Sequence, residues 1–177
     1  MISSNLAVTY AHGRHQNLRV GSTLSSLCIS NMDGQRRTGT VVHIDARDLI
    51  LLEIDPPVQV PDLEFSAPDI GKEYYLLGLS PSNNNLCASY GVVATTQISG
   101  AGHFFGASGS CPGGSGGGCF ESKLPPRFLG MNVGNWTRPL TEKSPLCDLS
   151  TPSRAYVLPA RYIFDVIRVL LVAVRAK

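Results

Sequence analysis

Between its first apolar run and its last turn, the chain offers no stretch in which apolar residues recur at intervals of three and four. What recurs is a series of short runs rich in β-branched, aromatic and aliphatic residues, cut by turn residues, and that pattern commits the chain to strands. The runs are "LAVTYA", "LSSLCIS", "TGTVVHI", "LILLEI", "EYYLLGL", "ASYGVVATTQI", "GHFFGAS", "GGCFES", "RFLGMNV" and "AYVLP". They are bounded by Asp33-Gly34, Pro56-Pro57, the Pro81 to Asn85 segment and Pro125-Pro126. A helical period appears only at the end, where Tyr162, Ile163, Val166, Val169, Leu170 and Val174 share a face. That segment predicts one docked helix, its stripe facing a core.

An all-β chain of 177 residues is long enough to bury about 70% of its unfolded surface. The Pro-rich stretch at 56–68 reads as a connector between two β units. Two small barrels are therefore expected, an N-terminal one over 1–58 and a C-terminal one with the helix over 69–177. A net charge of +2, with no cluster of Lys and Arg beyond the Arg36-Arg37 pair, gives no field that would hold nucleic acid or a membrane surface. The C-terminal apolar segment is interrupted by Asp165 and Arg168 and is too polar to span a bilayer.

Five cysteines, Cys28, Cys87, Cys111, Cys119 and Cys147, form no C-x-x-C pair, so neither a zinc site nor another metal or cofactor is expected. The start, "MISSNLAVTYAHGRH", has no basic region followed by an apolar stretch, which predicts a cytoplasmic or other intracellular protein. The triplet Asn135-Trp136-Thr137 is the one hint of secretion.

The glycine-rich segment "GASGSCPGGSGGGCF" admits two readings, a flexible linker or a tight loop whose N–H groups converge around a nucleophile. As a nucleophile Ser115 needs an imidazole to take its proton and a carboxylate to orient that imidazole. His12 stands at the end of the first apolar run, and Asp48 directly precedes "LILLEI", at the mouth of a buried strand. Asp45 competes for the orienting role but stands three residues further from that run. His15 and His43 read as surface or strand residues and His103 as a strand residue; Cys111 reads as a buried thiol, with a place in a substrate pocket as its alternative.

His12, Asp48 and Ser115, in this order and at intervals of 36 and 67 residues, sit in "AVTYAH", "RDLILLEI" and "PGGSGG". In that arrangement the chain resembles the trypsin-like serine proteases of the two-barrel, chymotrypsin-type fold, and within them most resembles the HtrA-type branch. Further matches run in order through "TGTVVHID", the Gly71 to Gly78 segment, "YGVVA", Gly130-Met131-Asn132 and "YVLP" before the final helix.

The resemblance implies an oxyanion hole from the N–H groups of Gly113 and Ser115, with Gly116 and Gly117 leaving room for substrate and the facing barrel. It implies a primary pocket with Gly109 at its base, Ser108 and Ser110 beside it, and Asn132, Val133 and Gly134 as a wall. No carboxylate stands at that base, so an uncharged, apolar P1 side chain is expected. Gly114 replaces the Asp that pairs with a new N-terminus in secreted relatives, so activation by that route is not expected. The family places two further strands before the histidine, which predicts an incomplete first barrel and possible association with a second copy or a strand-donating partner.

Three functions follow as expectations. The first is a serine endopeptidase acting on peptide or protein substrates. The others are an inactive module that keeps the peptide groove and a fragment that folds only with a partner. The presence of all three triad residues favours the first.

Overall fold

A computed structural model describes residues 1–27, 37–60, 62–79, 85–96, 102–110, 113–136 and 154–175. The Asp33-Gly34 turn, most of the turn at Pro81, and Cys28, Cys111 and Cys147 lie outside the described residues. All ten apolar runs contribute a strand, and the final segment is a helix. The chain divides into two compact units, Met1–Leu63 and Glu64–Lys177.

The first unit holds β1 (Leu6–Thr9), β2 (Thr23–Leu27), β3 (Arg37–Asp45) and β4 (Leu49–Asp55) in one antiparallel sheet of order β1-β4-β3-β2. Leu49 to Leu52 are all buried in succession, as befits the strand with a neighbour on each side. Ala7, Val41, Ile50, Leu52, Ile54 and Val58 form the core of this unit. Val58 belongs to the expected connector, yet it is buried and its N–H donates to the Ser4 carbonyl at 2.7 Å.

The second unit is a closed barrel of six strands, in order β10-β7-β6-β5-β8-β9. These are β5 (Glu73–Leu79), β6 (Leu86–Thr95), β7 (Phe104–Gly106), β8 (Gly118–Glu121), β9 (Phe128–Trp136) and β10 (Arg154–Pro159). Strand β5 shows the alternation that a half-buried strand requires: Tyr74 and Leu76 point into the core while Glu73 and Tyr75 face out. Tyr74, Leu76, Val93, Phe104, Cys119, Leu129, Ala155 and Val157 fill the barrel. Residues 64–66 are also more than a connector, since Phe65 bridges Phe128 in parallel and Ser66 N–H donates to the Phe128 carbonyl at 3.1 Å.

Helix α1 (Ala160–Arg175) packs on β9 and β10. Its buried positions are Ala160, Ile163 and Ile167 rather than the whole expected stripe, and Val169 is 65% exposed. The docked face repeats at three and four residues, but only the first turns lie over the barrel; the side chain of Val174 lies outside the described residues. Among the described residues no helix is long and apolar enough to cross a membrane.

Candidate active site

Strand pairing brings His12 and Asp48 together. The β1–β4 register sets Thr9 opposite Ile50, and continued by two residues it carries Ala11 to the level of Asp48. Ala11 N–H donates to Asp48 Oδ1 at 2.7 Å, and His12 Nδ1 lies 2.5 Å from Asp48 Oδ2. Both carboxylate oxygens are thus engaged, one by backbone and one by imidazole. With the carboxylate as acceptor, Nδ1 carries the hydrogen and Nε2 is left as the acceptor nitrogen.

Asp48 closes the β3–β4 hairpin with φ 69°, a left-handed conformation that Asp and Asn adopt more readily than most side chains. Asp45 has a different task in the same turn, its Oδ1 accepting from Arg47 N–H at 2.7 Å. After His12 the chain enters a 3₁₀ turn, Gly13–His15, which the strand reading did not foresee. His15 belongs to this turn rather than to a strand, its ring lying against Tyr10 at 4.4 Å and its Nδ1 2.8 Å from the Tyr10 carbonyl. Tyr10 also flanks His12, ring centroids 4.5 Å apart. His43 lies in β3. His103 stands one residue before β7, buried and stacked on Tyr156 at 4.1 Å.

In the second unit, Ser115 sits in a turn bound to β9. Gly117 N–H donates to the Gly114 carbonyl at 3.0 Å, Gly116 N–H to the Asn132 carbonyl at 2.7 Å, and Asn132 N–H to the Gly117 carbonyl at 2.8 Å. From Gly114 to Gly117 the glycine-rich segment is therefore a constrained loop, not a linker. Gly113 has φ 85°, open to glycine at little cost. A Cβ at Gly117 would stand 1.9 Å from the Leu77 carbonyl oxygen. Gly117 thus makes room for β5 of its own barrel, where room for substrate and the facing barrel was expected. Among the described residues no acceptor faces the N–H of Gly113 or of Ser115.

The residues expected to wall a pocket divide into two kinds. Asn132 and Val133 are buried, so β9 does not offer a ligand their side chains, and the Asn132 N–H and carbonyl are already bonded to Gly117 and Gly116. The Asn132 amide nitrogen donates to the Gly114 carbonyl at 2.8 Å. Gly134 lies beside Ser115, since a Cβ built there would be 3.8 Å from Ser115 Oγ.

On the opposite segment Ser108 is anchored to the barrel. Its carbonyl accepts from Ala155 N–H at 2.9 Å, and its hydroxyl donates to the Tyr90 carbonyl at 2.8 Å. Gly109 follows without a Cβ, and Ser110 is bound to Asn135, a residue the sequence had marked only as part of a glycosylation triplet. Cys111 lies outside the described residues. No group of metal-ligating side chains occurs among the described residues.

A family model described as a trypsin-like peptidase domain matches residues 1–130. The chain belongs to the trypsin-like peptidase family. Among solved structures it is similar to the apo form of the MamO protease domain from Magnetospirillum magneticum. That likeness has a TM-score of 0.65 and 15% identity, and covers 92% of this chain and 82% of the other. It is also similar to the Rv3671c protease in an inactive form, with a TM-score of 0.61 and 18% identity, over 93% of this chain and 78% of the other. At these identities the likeness is one of fold, and the sheet, the closed barrel and the C-terminal helix agree with a chymotrypsin-like trypsin-type peptidase. A comparison with curated protein sequences finds no match.

Proposed function

We propose that this trypsin-like peptidase is a serine endopeptidase with Ser115 as nucleophile, His12 as general base and Asp48 as the group that orients the imidazole. The Ser115 hydroxyl attacks the scissile carbonyl carbon while His12 Nε2 takes its proton. The same proton passes to the departing amine, leaving an acyl-enzyme that water hydrolyses by the reverse sequence. The N–H groups of Gly113 and Ser115 receive the oxyanion, each donor worth about 3 kcal/mol in the transition state. Peptides and proteins are the substrate class, and Ser108, Gly109 and Ser110 favour an uncharged P1 residue over Lys or Arg.

The observation that carries this reading is the His12 Nδ1 to Asp48 Oδ2 contact of 2.5 Å, with Ala11 N–H holding the other carboxylate oxygen. The pair leaves Nε2 of the neutral ring as the acceptor nitrogen that a general base needs. The test is labelling with a fluorophosphonate probe beside hydrolysis of a peptide mixture. Wild type should do both and Ser115→Ala neither; hydrolysis undiminished in the Ala variant would place the chemistry elsewhere.

A further inference from the structure

Asn135 ties together the two segments between which a P1 side chain would enter. Its Oδ1 accepts from Ser110 N–H at 2.6 Å and from the Ser110 hydroxyl at 3.1 Å, while its Nδ2 donates to the Ser110 carbonyl at 2.8 Å. A primary amide used in this way imitates a peptide group in a strand ladder, donating and accepting on one partner. It joins the end of β9, one residue beyond the Gly134 that lies beside Ser115 Oγ, to the chain five residues before the nucleophile. Neither segment is free to swing away: Ser108 is fixed to Ala155 and Tyr90, and β9 is fixed to the Ser115 turn through Asn132.

On its β5 and β6 side Ser110 borders a cavity of about 10 Å³, lined by Gly78, Cys87, Ser89 and Gly114 among others. That is room for no more than one water. The amide bridge spans the gap between the two segments, so it stands in the way of a side chain that enters deeply beside Ser115.

We propose that Asn135 is a specificity-determining residue, its amide bridge to Ser110 closing the primary pocket so that small uncharged P1 side chains are accepted and bulky ones refused. This rests on the serine endopeptidase reading and narrows it from apolar to small.

The test uses two peptidyl diphenyl phosphonates that differ only at P1, Ala against Phe. Each reacts as Ser115 Oγ forms a bond to phosphorus and phenol leaves with the hydroxyl proton. Wild type should react roughly tenfold or more faster with the Ala reagent. In Asn135→Ala, which loses all three bonds, the Ala-to-Phe ratio should fall by roughly tenfold. Asn135→Asp keeps the acceptor for Ser110 N–H but loses the donor to its carbonyl, and should stand between. The ratio cancels any general loss of reactivity, and if the Ala variant does not fold the Asp variant carries the comparison. A wild-type preference for Phe, or a ratio unchanged in the variants while a plain fluorophosphonate labels wild-type Ser115, overturns this proposal alone. Failure of wild type to react with any of the three reagents overturns the endopeptidase reading and this proposal with it.

Discussion

The Asn132 side chain, fully buried in β9, reaches across to the Ser115 turn and donates to the Gly114 carbonyl at 2.8 Å. In a trans peptide the carbonyl and the following N–H point in opposite directions. By holding the Gly114 carbonyl, Asn132 therefore aims the Ser115 N–H away from itself, and in the proposed mechanism that N–H is an oxyanion donor. Asn132→Ala should cost about 1–3 kcal/mol of stability, read as a lower Tm. Asn132→Leu restores the volume, so it should recover part of the stability while fluorophosphonate labelling of Ser115 stays at least about tenfold slower than wild type. Wild-type labelling in the Leu variant would show that the amide serves packing alone.

Asp48→Asn is the cleanest test of the histidine–carboxylate pair. Asn tolerates φ 69° as Asp does, so the hairpin should stand. The amide that replaces Oδ2 can donate to Nδ1 and so leave the hydrogen on Nε2. Turnover should fall about 10⁴-fold with little change in Tm, and His12→Ala should match it. If His15→Ala were the damaging change and His12→Ala silent, the assignment of the base would be wrong.

Glu121 and Lys72 predict a pH dependence of stability. Lys72 Nζ lies 2.7 Å from Glu121 Oε1 and 3.1 Å from Asp69 Oδ2, and the Ser66 hydroxyl donates to Glu121 at 2.5 Å. Burial alone would raise the Glu121 carboxyl and lower the Lys72 ammonium. The hydrogen bonds from Lys72 and Ser66 outweigh it for Glu121, which is held below its ordinary 4.5; those to Glu121 and Asp69 do so for Lys72, held above 10.5. The carboxylate's contribution is therefore present above pH 4.5 and lost as pH falls through the lowered folded value, while that of Lys72 is lost only as pH rises past 10.5. Glu121→Gln should lower stability by about 1–3 kcal/mol at neutral pH. In thermal melts across pH, the gap from wild type should close in acid; a gap independent of pH would contradict the pairing.

Cys119 lies inside the barrel, and burial pushes its thiol well above the ordinary range. As the thiolate is the reactive form, Cys119 should resist a maleimide in the native protein and react only on unfolding. Peptide mapping by mass spectrometry gives the readout. Fast native modification at Cys119 would mean that the barrel opens.

The strands were legible because each apolar run is short and ends at a turn residue, and because alternation such as that of Glu73 to Leu76 has one physical reading. The helix was legible in extent but not in which face it buries, since Val169 and Ile167 are equally apolar and only the reach of the barrel decides between them. His12 and Asp48 were found through spacing and resemblance; the bond between them follows from the β1–β4 register, which no local pattern displays. Asn132 was read as part of a pocket wall and Asn135 only as part of a glycosylation triplet; the bonds that their side chains make escaped for the same reason. Their partners, Gly114 and Ser110, lie 18 and 25 residues earlier and meet them only once β9 has docked. The 3₁₀ turn after His12 is three residues long, too short to carry a period.

Closure of the barrel has a consequence for how the molecule opens. Strand β10 is hydrogen-bonded to both β7 and β9, so the ring has no terminal strand that could peel away alone. In the first unit β1 and β2 each have one strand neighbour among the described residues. Amide hydrogens on the outer sides of β1 and β2 should exchange with solvent through local fraying, whereas those of the ring should exchange together, through a single cooperative opening. The Ser115 turn, bonded to β9, is thereby mounted on a frame whose fluctuations are all or nothing.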